Sequence, residues 1–499
     1  MPTLSPARPH ALTPYALPAA LLVGLLVRIL LERTNAGITM DSPLYVRMAE
    51  GLGHTVRLGE TPAHHGYPLL IALASAIVPG RLDPGRWVAL LASLGTIALT
   101  HAVARRTLGP MSAFLAALAM ALHPLAVVYG GVVMTEAPFL AVVWLGLWLV
   151  GGRRAFAGGL ALGLSYWIRP EAAVIVPATA LLMRARPRAR LFVLAGAVLA
   201  LLPYLVLLRA ETGHWSLSPK SALVRPAFAS ERDAEWHTGG ASAIPAHAAP
   251  GLLSRLRETA PTWAHSYSPT LAKHVRRLLE AWPLPLLALS LLGLARRDAW
   301  DERLAPLACL LVIPLLTAPP DLRFAHLYLP TLVILAAAGG ARLLAWRVPG
   351  RDALAPLALA LLALLVLAGG VLLARGPAMT LALHFDDGPM TTLAGAGERL
   401  KREGRANALV MDRKAYVPFY AGMRHIQLPD DDLDTILAYA KAQGVDYLVV
   451  EEYVAMTLRP QLKPLLDARA LAHEHRVRLL FALHPAADEG VAVFELARP

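Results

Sequence analysis

The chain has 499 residues, of which 56% are hydrophobic, and carries a net charge of +12 at pH 7. So apolar a composition excludes an ordinary soluble enzyme and indicates a protein that crosses a membrane many times. The arginines form short clusters between apolar runs rather than one basic face, which excludes nucleic acid as a partner. Cys309 is the single cysteine, which excludes a disulfide framework and a cysteine metal site.

Apolar runs long enough to cross about 30 Å of hydrocarbon recur along the first three quarters of the chain. The run at 12–32 follows a short segment without a small-residue cleavage site, so we interpret it as a retained signal-anchor helix. Segment 155–183 is typical of two helices broken at Arg169-Pro170-Glu171. The sequence predicts about eleven transmembrane helices, with the others at 87–104, 111–128, 135–150, 190–209, 281–295, 304–318, 326–345 and 353–374.

Basic clusters between these runs predict which way the helices face. With a cytoplasmic N-terminus, all the clusters fall on the cytoplasmic side, as the positive-inside rule requires. They are Arg105-Arg106, Arg153-Arg154, Arg184 to Arg190, Arg296-Arg297 and Arg342 to Arg351. This orientation requires that the 13-residue run 67–79 lies along the outer interface. A short tilted span is the alternative for that run.

Three segments then face the outside, namely loops 33–86 and 210–280 and the tail 375–499. The tail is more charged and alternates short β-rich runs with helical ones such as 432–443. The β-rich runs are 408–411, 445–450 and 477–481. This alternation predicts a small extracytoplasmic α/β domain after a membrane domain at 1–374.

Ionisable side chains gather at the outer ends of the predicted helices and in the outer loops. A charged group that enters hydrocarbon costs a few kcal/mol, so such positions are usually functional. The residues are Asp41, His64, His65, Glu136, Arg169, Glu171, Asp321 and Arg323. Their common side predicts a site at the outer surface, which suits a reaction between a lipid-borne substrate and an acceptor outside.

The acids that begin predicted helices also have a structural interpretation. Asp41 precedes Ser42-Pro43 and therefore suits the N-cap of an interfacial helix, with Tyr45 one turn later. Glu136 suits a helix N-terminus, where the helix dipole favours a negative charge. The functional alternative places both acids and Tyr45 in the site.

The basic groups have two interpretations as well. His64-His65 is either an ordinary loop pair or a ligand of metal or phosphate, and a metal would need a third ligand. Arg169, which precedes Pro170, would pair with Glu171 or with a phosphate. Arg323 likewise would pair with an anion. Alternatively, both arginines extend their charged ends to the membrane interface.

Five short motifs follow one another along the chain. They are Asp41-Ser-Pro-Leu-Tyr45, Tyr67-Pro-Leu-Leu70, Met134-Thr-Glu-Ala-Pro-Phe-Leu140, Ile168-Arg-Pro-Glu171, and Leu322-Arg-Phe with Tyr328-Leu-Pro330. Their order resembles the GT-C glycosyltransferases, in particular the bacterial protein O-mannosyltransferase-like and lipid A aminoarabinose transferase-like group. Segments 410–422 and 444–452 resemble the tail domain of that group.

The resemblance implies a GT-C-like fold in the bacterial inner membrane and a polyprenyl-phosphate-linked sugar as donor. The acceptor would be a glycan, lipid or protein at the external face. Asp41 would be the general base of an inverting displacement. The leaving lipid phosphate would be stabilised by Arg323, Arg169 and Lys220.

The remaining ionisable groups, with Tyr45, would bind substrate. Relatives often carry an Asp-Glu pair in the first loop, whereas Ser42 follows Asp41 here. Some relatives bind a divalent metal, for which His64, His65 and Glu136 are the candidate ligands in this chain.

Two rival functions have sequence features of their own. A multispan transporter or flippase would also need many spans and a few charges, but its polar groups usually lie near the bilayer midplane. The motif His384-Phe-Asp-Asp-Gly-Pro389 resembles polysaccharide deacetylases, but the chain contains no His-x-x-x-His partner motif. We interpret that motif as a turn and keep transport as the alternative function.

Overall fold

The computed structural model describes residues 15–34, 41–52, 63–183, 186–212, 215, 252–282, 284–295, 301–316, 322–345, 389–429, 431–484 and 490–497. Within these ranges the chain is helical up to residue 345 and contains a β-sheet in the tail. The predicted span 353–374, Lys220 and Asp321 lie outside the described residues, as does most of the motif 384–389.

Helices of very different lengths make up the membrane part. Helices α1 to α14 cover Ala16–Thr34, Ser42–Gly51, Gly66–Ser75, Asp83–Leu108, Pro110–Leu122, Pro124–Tyr129, Glu136–Gly151, Ala155–Ser165, Ala172–Leu182, Pro187–Thr212, Leu252–Ala281, Leu284–Leu294, Ala308–Leu316 and Arg323–Ala345. A 3₁₀ turn at Glu302–Leu307 precedes α13. The predicted break within 155–183 is confirmed, because α8 ends at Ser165 and α9 begins at Ala172.

Three of the described helices are long and apolar enough to cross a membrane alone, namely Asp83–Leu108, Pro187–Ala210 and Arg323–Leu343. The pair Tyr267–Ala281 and Leu284–Leu294, bent by 106°, makes a fourth if it counts as one span. Other apolar helices have 10–17 residues, which is shorter than the ~20 that a full crossing needs. The chain is a polytopic helical membrane protein whose apolar runs are often divided into shorter helices.

Two segments outside the predicted spans contain helices. Part of the expected loop 210–280 is the 30-residue helix α11, whose many charged residues lower the mean hydropathy below that of a span. The run 67–79 contains the 10-residue helix α3, which at 1.5 Å per residue is about 15 Å long. That is about half the hydrocarbon thickness.

Helices α12 and α14 pack with their backbones in direct contact. A Cβ atom added at Gly293 would lie 2.0 Å from the Leu335 carbonyl oxygen, and one at Gly339 would lie 1.9 Å from that of Leu289. Because hydrocarbon gives helices little hydrophobic reason to associate, close contacts between small residues are a main source of attraction. This contact supports α14, which begins at the candidate site residue Arg323.

The tail contains a five-stranded mixed sheet. Strands β1 to β5 are Leu409–Asp412, Arg424–Gln427, Tyr447–Glu451, Val477–Leu483 and Val491–Leu496, in the order β2-β1-β3-β5-β4. Strand β1 is parallel to β2 and β3, whereas β5 is antiparallel to β3 and β4. Helices α15 to α19 are Pro389–Glu403, Tyr416–Ala421, Leu433–Ala442, Lys463–Leu466 and Ala468–Leu471. The strands expected near 408, 445 and 477 and the helix near 432 are all present.

Candidate functional site

Asp41 lies directly before helix α2, at the position of its N-cap, but its side chain makes no capping hydrogen bond. The start of the helix is fixed instead by Ser42, whose hydroxyl donates to the Val133 carbonyl at 3.0 Å. One turn later the buried Tyr45 packs edge-on against Tyr67, with ring centroids 5.5 Å apart. The Asp41 carboxylate therefore does not cap its own helix.

The Asp41 carboxylate contacts Arg323, the first residue of α14. Arg323 Nη1 donates to Asp41 Oδ2 at 3.3 Å. A cation at a helix N-terminus is opposed by the helix dipole, and the carboxylate offsets that cost. Both side chains reach water, with 27% of Asp41 and 21% of Arg323 exposed.

Arg169 is held by two glutamates from different helices. Its Nη1 donates to Glu136, the first residue of α7, and to the Thr135 hydroxyl. Its Nε and Nη2 donate to Oε1 of Glu171, at 3.1 and 2.7 Å. Glu171 directly precedes α9. Only 14% of the Arg169 side chain is exposed. The sequence left Glu171 or a phosphate as the partner of Arg169, and in this structure its partners are carboxylates.

Phe324 and Tyr45 connect the Asp41 pair with the Arg169 cluster. The guanidinium carbons of Arg323 and Arg169 lie 5.5 and 5.8 Å from the centroid of the Phe324 ring. The Tyr45 hydroxyl hydrogen-bonds the Thr135 side chain and lies within electrostatic range of Asp41 and Arg169. Five of the predicted residues, together with Tyr45, therefore belong to one region; the five are Asp41, Glu136, Arg169, Glu171 and Arg323.

His64 and His65 precede α3 and lie in an aromatic cluster beside this region. His65 Nδ1 is 3.0 Å from the Tyr204 hydroxyl, and the His64 ring stacks on Tyr204 at 5.5 Å. The segment before α3 can approach Trp167 closely because residue 66 is glycine. A Cβ atom at Gly66 would lie 2.7 Å from the Trp167 carbonyl. His64 lies within electrostatic range of the Glu171 carboxylate.

The proposed metal ligands are not gathered into a metal-binding set. Among the residues that the structure describes, no three His, Cys, Asp or Glu side chains are grouped so that they could hold an ion. Glu136 pairs with Arg169, and His65 contacts Tyr204. The chemistry that the described arrangement supplies is that of carboxylates, guanidinium groups and aromatic rings.

Comparison with known proteins finds similarity in both sequence and fold. Residues 65–210, which include His65 and the whole Arg169 cluster, match the model of the dolichyl-phosphate-mannose-protein mannosyltransferase family. ArnT from Cupriavidus metallidurans matches in the apo state and bound to undecaprenyl phosphate. Each match has a TM-score of 0.57 and 14% identity, over 96% of this chain and 97% of that one.

The chain therefore has the fold of ArnT, and its segment 65–210 is similar to the protein mannosyltransferase family. An oligosaccharyltransferase from Archaeoglobus fulgidus, tethered with an acceptor peptide, shares the fold with a TM-score of 0.54 and 12% identity. That match covers 98% of this chain and 74% of the archaeal chain. No curated protein matches the sequence.

Sequence reasoning missed three residues of the site region. Thr135 and Phe324 lie inside the motifs described above, next to Glu136 and Arg323. They were missed because the search was for ionisable side chains, and these two side chains are uncharged. Tyr416 comes from the tail, where it is buried and lies within electrostatic range of Asp41. Only the folded structure shows that Tyr416 and Asp41 interact, since 375 positions separate the two residues in the sequence.

Proposed function

We propose that this glycosyltransferase moves a sugar from a polyprenyl-phosphate donor to an acceptor at the external face of the bacterial inner membrane, with inversion and with Asp41 as general base. The observation that carries the proposal is the partly exposed Asp41 carboxylate beside Arg323, at a site where other ionisable groups are buried. The positive-inside pattern of the arginines supports the external placement of this site and of the tail.

Asp41 and Arg323 can serve the two ends of one displacement when the donor sugar enters between them and replaces their 3.3 Å hydrogen bond. The Asp41 carboxylate takes the proton of the acceptor hydroxyl as its oxygen bonds to the anomeric carbon. On the opposite side of that carbon, the bond to the phosphate oxygen breaks, and the polyprenyl phosphate leaves with the electron pair. The Arg323 guanidinium stabilises the charge on that phosphate.

A lipid phosphate as leaving group agrees with the fold and the matched family. A structural relative, ArnT, is solved with undecaprenyl phosphate bound. The matched family model is named for a dolichyl-phosphate sugar donor. A polyprenyl phosphate combines a membrane-soluble tail with an anionic head, which suits a site between hydrocarbon and water.

Of the two arginines, Arg323 is the better candidate for contact with the phosphate. Its hydrogen bond to Asp41 is 3.3 Å long and partly exposed, whereas Arg169 is bound by two glutamates, one of them at 2.7 Å. We assign Arg169 to holding Glu136 and Glu171 in place. Those glutamates would accept hydrogen bonds from sugar hydroxyls.

The other predicted substrate-binding residues fit around this centre. Tyr45, His64 and His65 would shape the donor pocket with their rings. Lys220, as a cation for the leaving phosphate, and Asp321, as a substrate-binding residue, remain predictions. The transporter alternative is disfavoured, because the matched family and the structural relatives are glycosyltransferases.

A donor turnover assay tests the proposal. The purified protein in nanodiscs is given undecaprenyl-phosphate sugars, one at a time, together with an envelope extract as acceptor. We expect release of undecaprenyl phosphate with one of the sugars and a product of inverted anomeric configuration. A retained configuration, or transport of the intact donor without release of the phosphate, would contradict it.

A further inference from the structure

Arg81, in the segment before α4, joins the first loop to the tail. Its guanidinium carbon lies 4.2 Å from the centroid of the Phe419 ring in α16, and Nη1 donates to the Phe419 carbonyl at 2.9 Å. Its Nε and Nη2 donate to the two Glu50 carboxylate oxygens at 2.7 and 2.9 Å. Because Glu50 belongs to α2, Arg81 bridges α2 and α16 with a bidentate ion pair on one side.

Arg47 makes a second contact between the same helices. It lies on α2, and its Nη2 donates to the Met423 carbonyl at 2.6 Å. Met423 follows Gly422, which ends α16 in a left-handed conformation with φ +67. Two guanidinium groups therefore bind carbonyls at or just beyond the C-terminal end of α16, where the negative end of the helix dipole favours cations.

The opposite end of α16 lies close to the proposed base. Tyr416 is the first residue of α16, is 2% exposed and lies within electrostatic range of Asp41. Asp41 in turn directly precedes α2. The contacts of Arg47 and Arg81 at the end of α16 therefore connect the tail with the segment that carries Asp41.

We propose that the tail is a positioning element of the active site. Its helix α16, docked through Arg47 and Arg81, holds α2 and thereby fixes the Asp41 carboxylate for proton transfer. The inference rests on the proposed role of Asp41 as base and adds Arg47 and Arg81 as positioning residues. A shift of about 1 Å in a reacting group can lower a rate about 100-fold. A docking contact that positions α2 can therefore control the reaction without touching the substrate.

Paired alanine variants test the docking contact. In R47A/R81A we expect kcat to fall by about 10- to 100-fold, since Asp41 loses its fixed geometry, while KM for the donor stays within about threefold. Hydrogen exchange of the backbone amides of residues 42–51 and 416–421 should accelerate together. In R81K the amine keeps one contact and loses the fork to Glu50, so an intermediate kcat is expected.

The chain offers a matched control within the tail. Arg399 also stacks on a phenylalanine, with 4.5 Å from its guanidinium carbon to the Phe481 centroid, and donates to Glu403 at 2.7 Å. R399A removes the same kinds of contact without touching the first loop. It should leave kcat and the exchange of residues 42–51 unchanged.

Two results would overturn the inference. One is a kcat of R47A/R81A equal to that of the parent protein, with or without faster exchange. The other is an equal loss of kcat in R399A. The proposed function fails separately, because active D41N protein would remove the role of Asp41, whereas the exchange measurement would still report whether α16 holds α2.

Discussion

Two arginines of the site differ in how far their carboxylate partners are buried. Arg169 pairs with Glu136, whose side chain is 3% exposed, and with Glu171. Arg323 pairs with an Asp41 that is 27% exposed. Removing one member of a buried ion pair leaves an uncompensated charge, whereas water takes over the role of a partner at an exposed pair.

The two arginines should therefore differ in their effect on stability. We expect R169A to lower the free energy of unfolding by about 3–5 kcal/mol, because two buried carboxylates lose their cation. R323A should lower it by less than about 1 kcal/mol. Thermal unfolding in detergent, followed by tryptophan fluorescence, compares the two variants, and an equal loss of stability would contradict the assignment.

The common location of these residues could be predicted, but their pairing could not. Positive-inside topology was enough to place Asp41, Glu136 and Arg323 on one side, because it depends only on the order of spans and charges. Which carboxylate an arginine binds depends on the positions of the helix ends to within a few ångströms. The order of spans and charges does not determine those positions. Arg169 had Glu171 as an obvious neighbour, yet Glu136 reaches it from another helix.

At the scale of elements, hydropathy predicted where apolar runs lie and missed how they are divided. The run 111–128 is two helices, which meet at His123-Pro124 because proline cannot continue the hydrogen-bond pattern. Helix α11 was missed because its charges hide it from a hydropathy average. The strands of the tail were found because β-branched runs alternate there with helical ones.

Strand pairing in the tail brings two acids together. Asp412 ends β1 and Glu451 ends β3, and these strands are parallel neighbours. Burial and the Glu451 charge raise the pKa of Asp412 well above its ordinary value, against the opposing effect of Arg413. Arg47 of the first loop and the backbone N–H groups of Lys414 and Val417 also face this carboxyl.

This raised pKa predicts a loss of stability at high pH. The folded protein holds the Asp412 proton more tightly than the unfolded chain, whose aspartate pKa is about 3.9. The stabilisation is therefore complete below pH ~4 and is lost as the pH rises through the folded pKa. D412N stays neutral, so we expect its Tm to fall less than that of the parent between pH 5 and 9.

The exposed Asp434 offers a control for this pH dependence, because 81% of its side chain is exposed. D434N should keep the slope of Tm against pH that the parent protein shows. A slope that D412N leaves unchanged would contradict the raised pKa of Asp412.

At the scale of the whole molecule, the tail and the membrane part meet at the site. Arg47 and its acceptor Met423 are 376 positions apart. Local patterns along a sequence carry no information about such a contact, so resemblance to a tail domain was the only sequence signal for this region. On the proposed account, this contact makes the membrane part and the tail one functional unit, in which the tail holds the first loop.

The central claim is that Asp41 removes the proton of the acceptor, and D41N tests it most directly. The amide keeps the size of the side chain but cannot accept the proton. Transfer should be measured with the parent protein and D41N in nanodiscs, with binding of undecaprenyl phosphate to each as the control for folding.

We expect D41N to bind undecaprenyl phosphate within about threefold of the parent and to lose at least about 100-fold in kcat, the usual contribution of a general base. A D41N protein that transfers sugar within a few-fold of the parent rate would contradict the account.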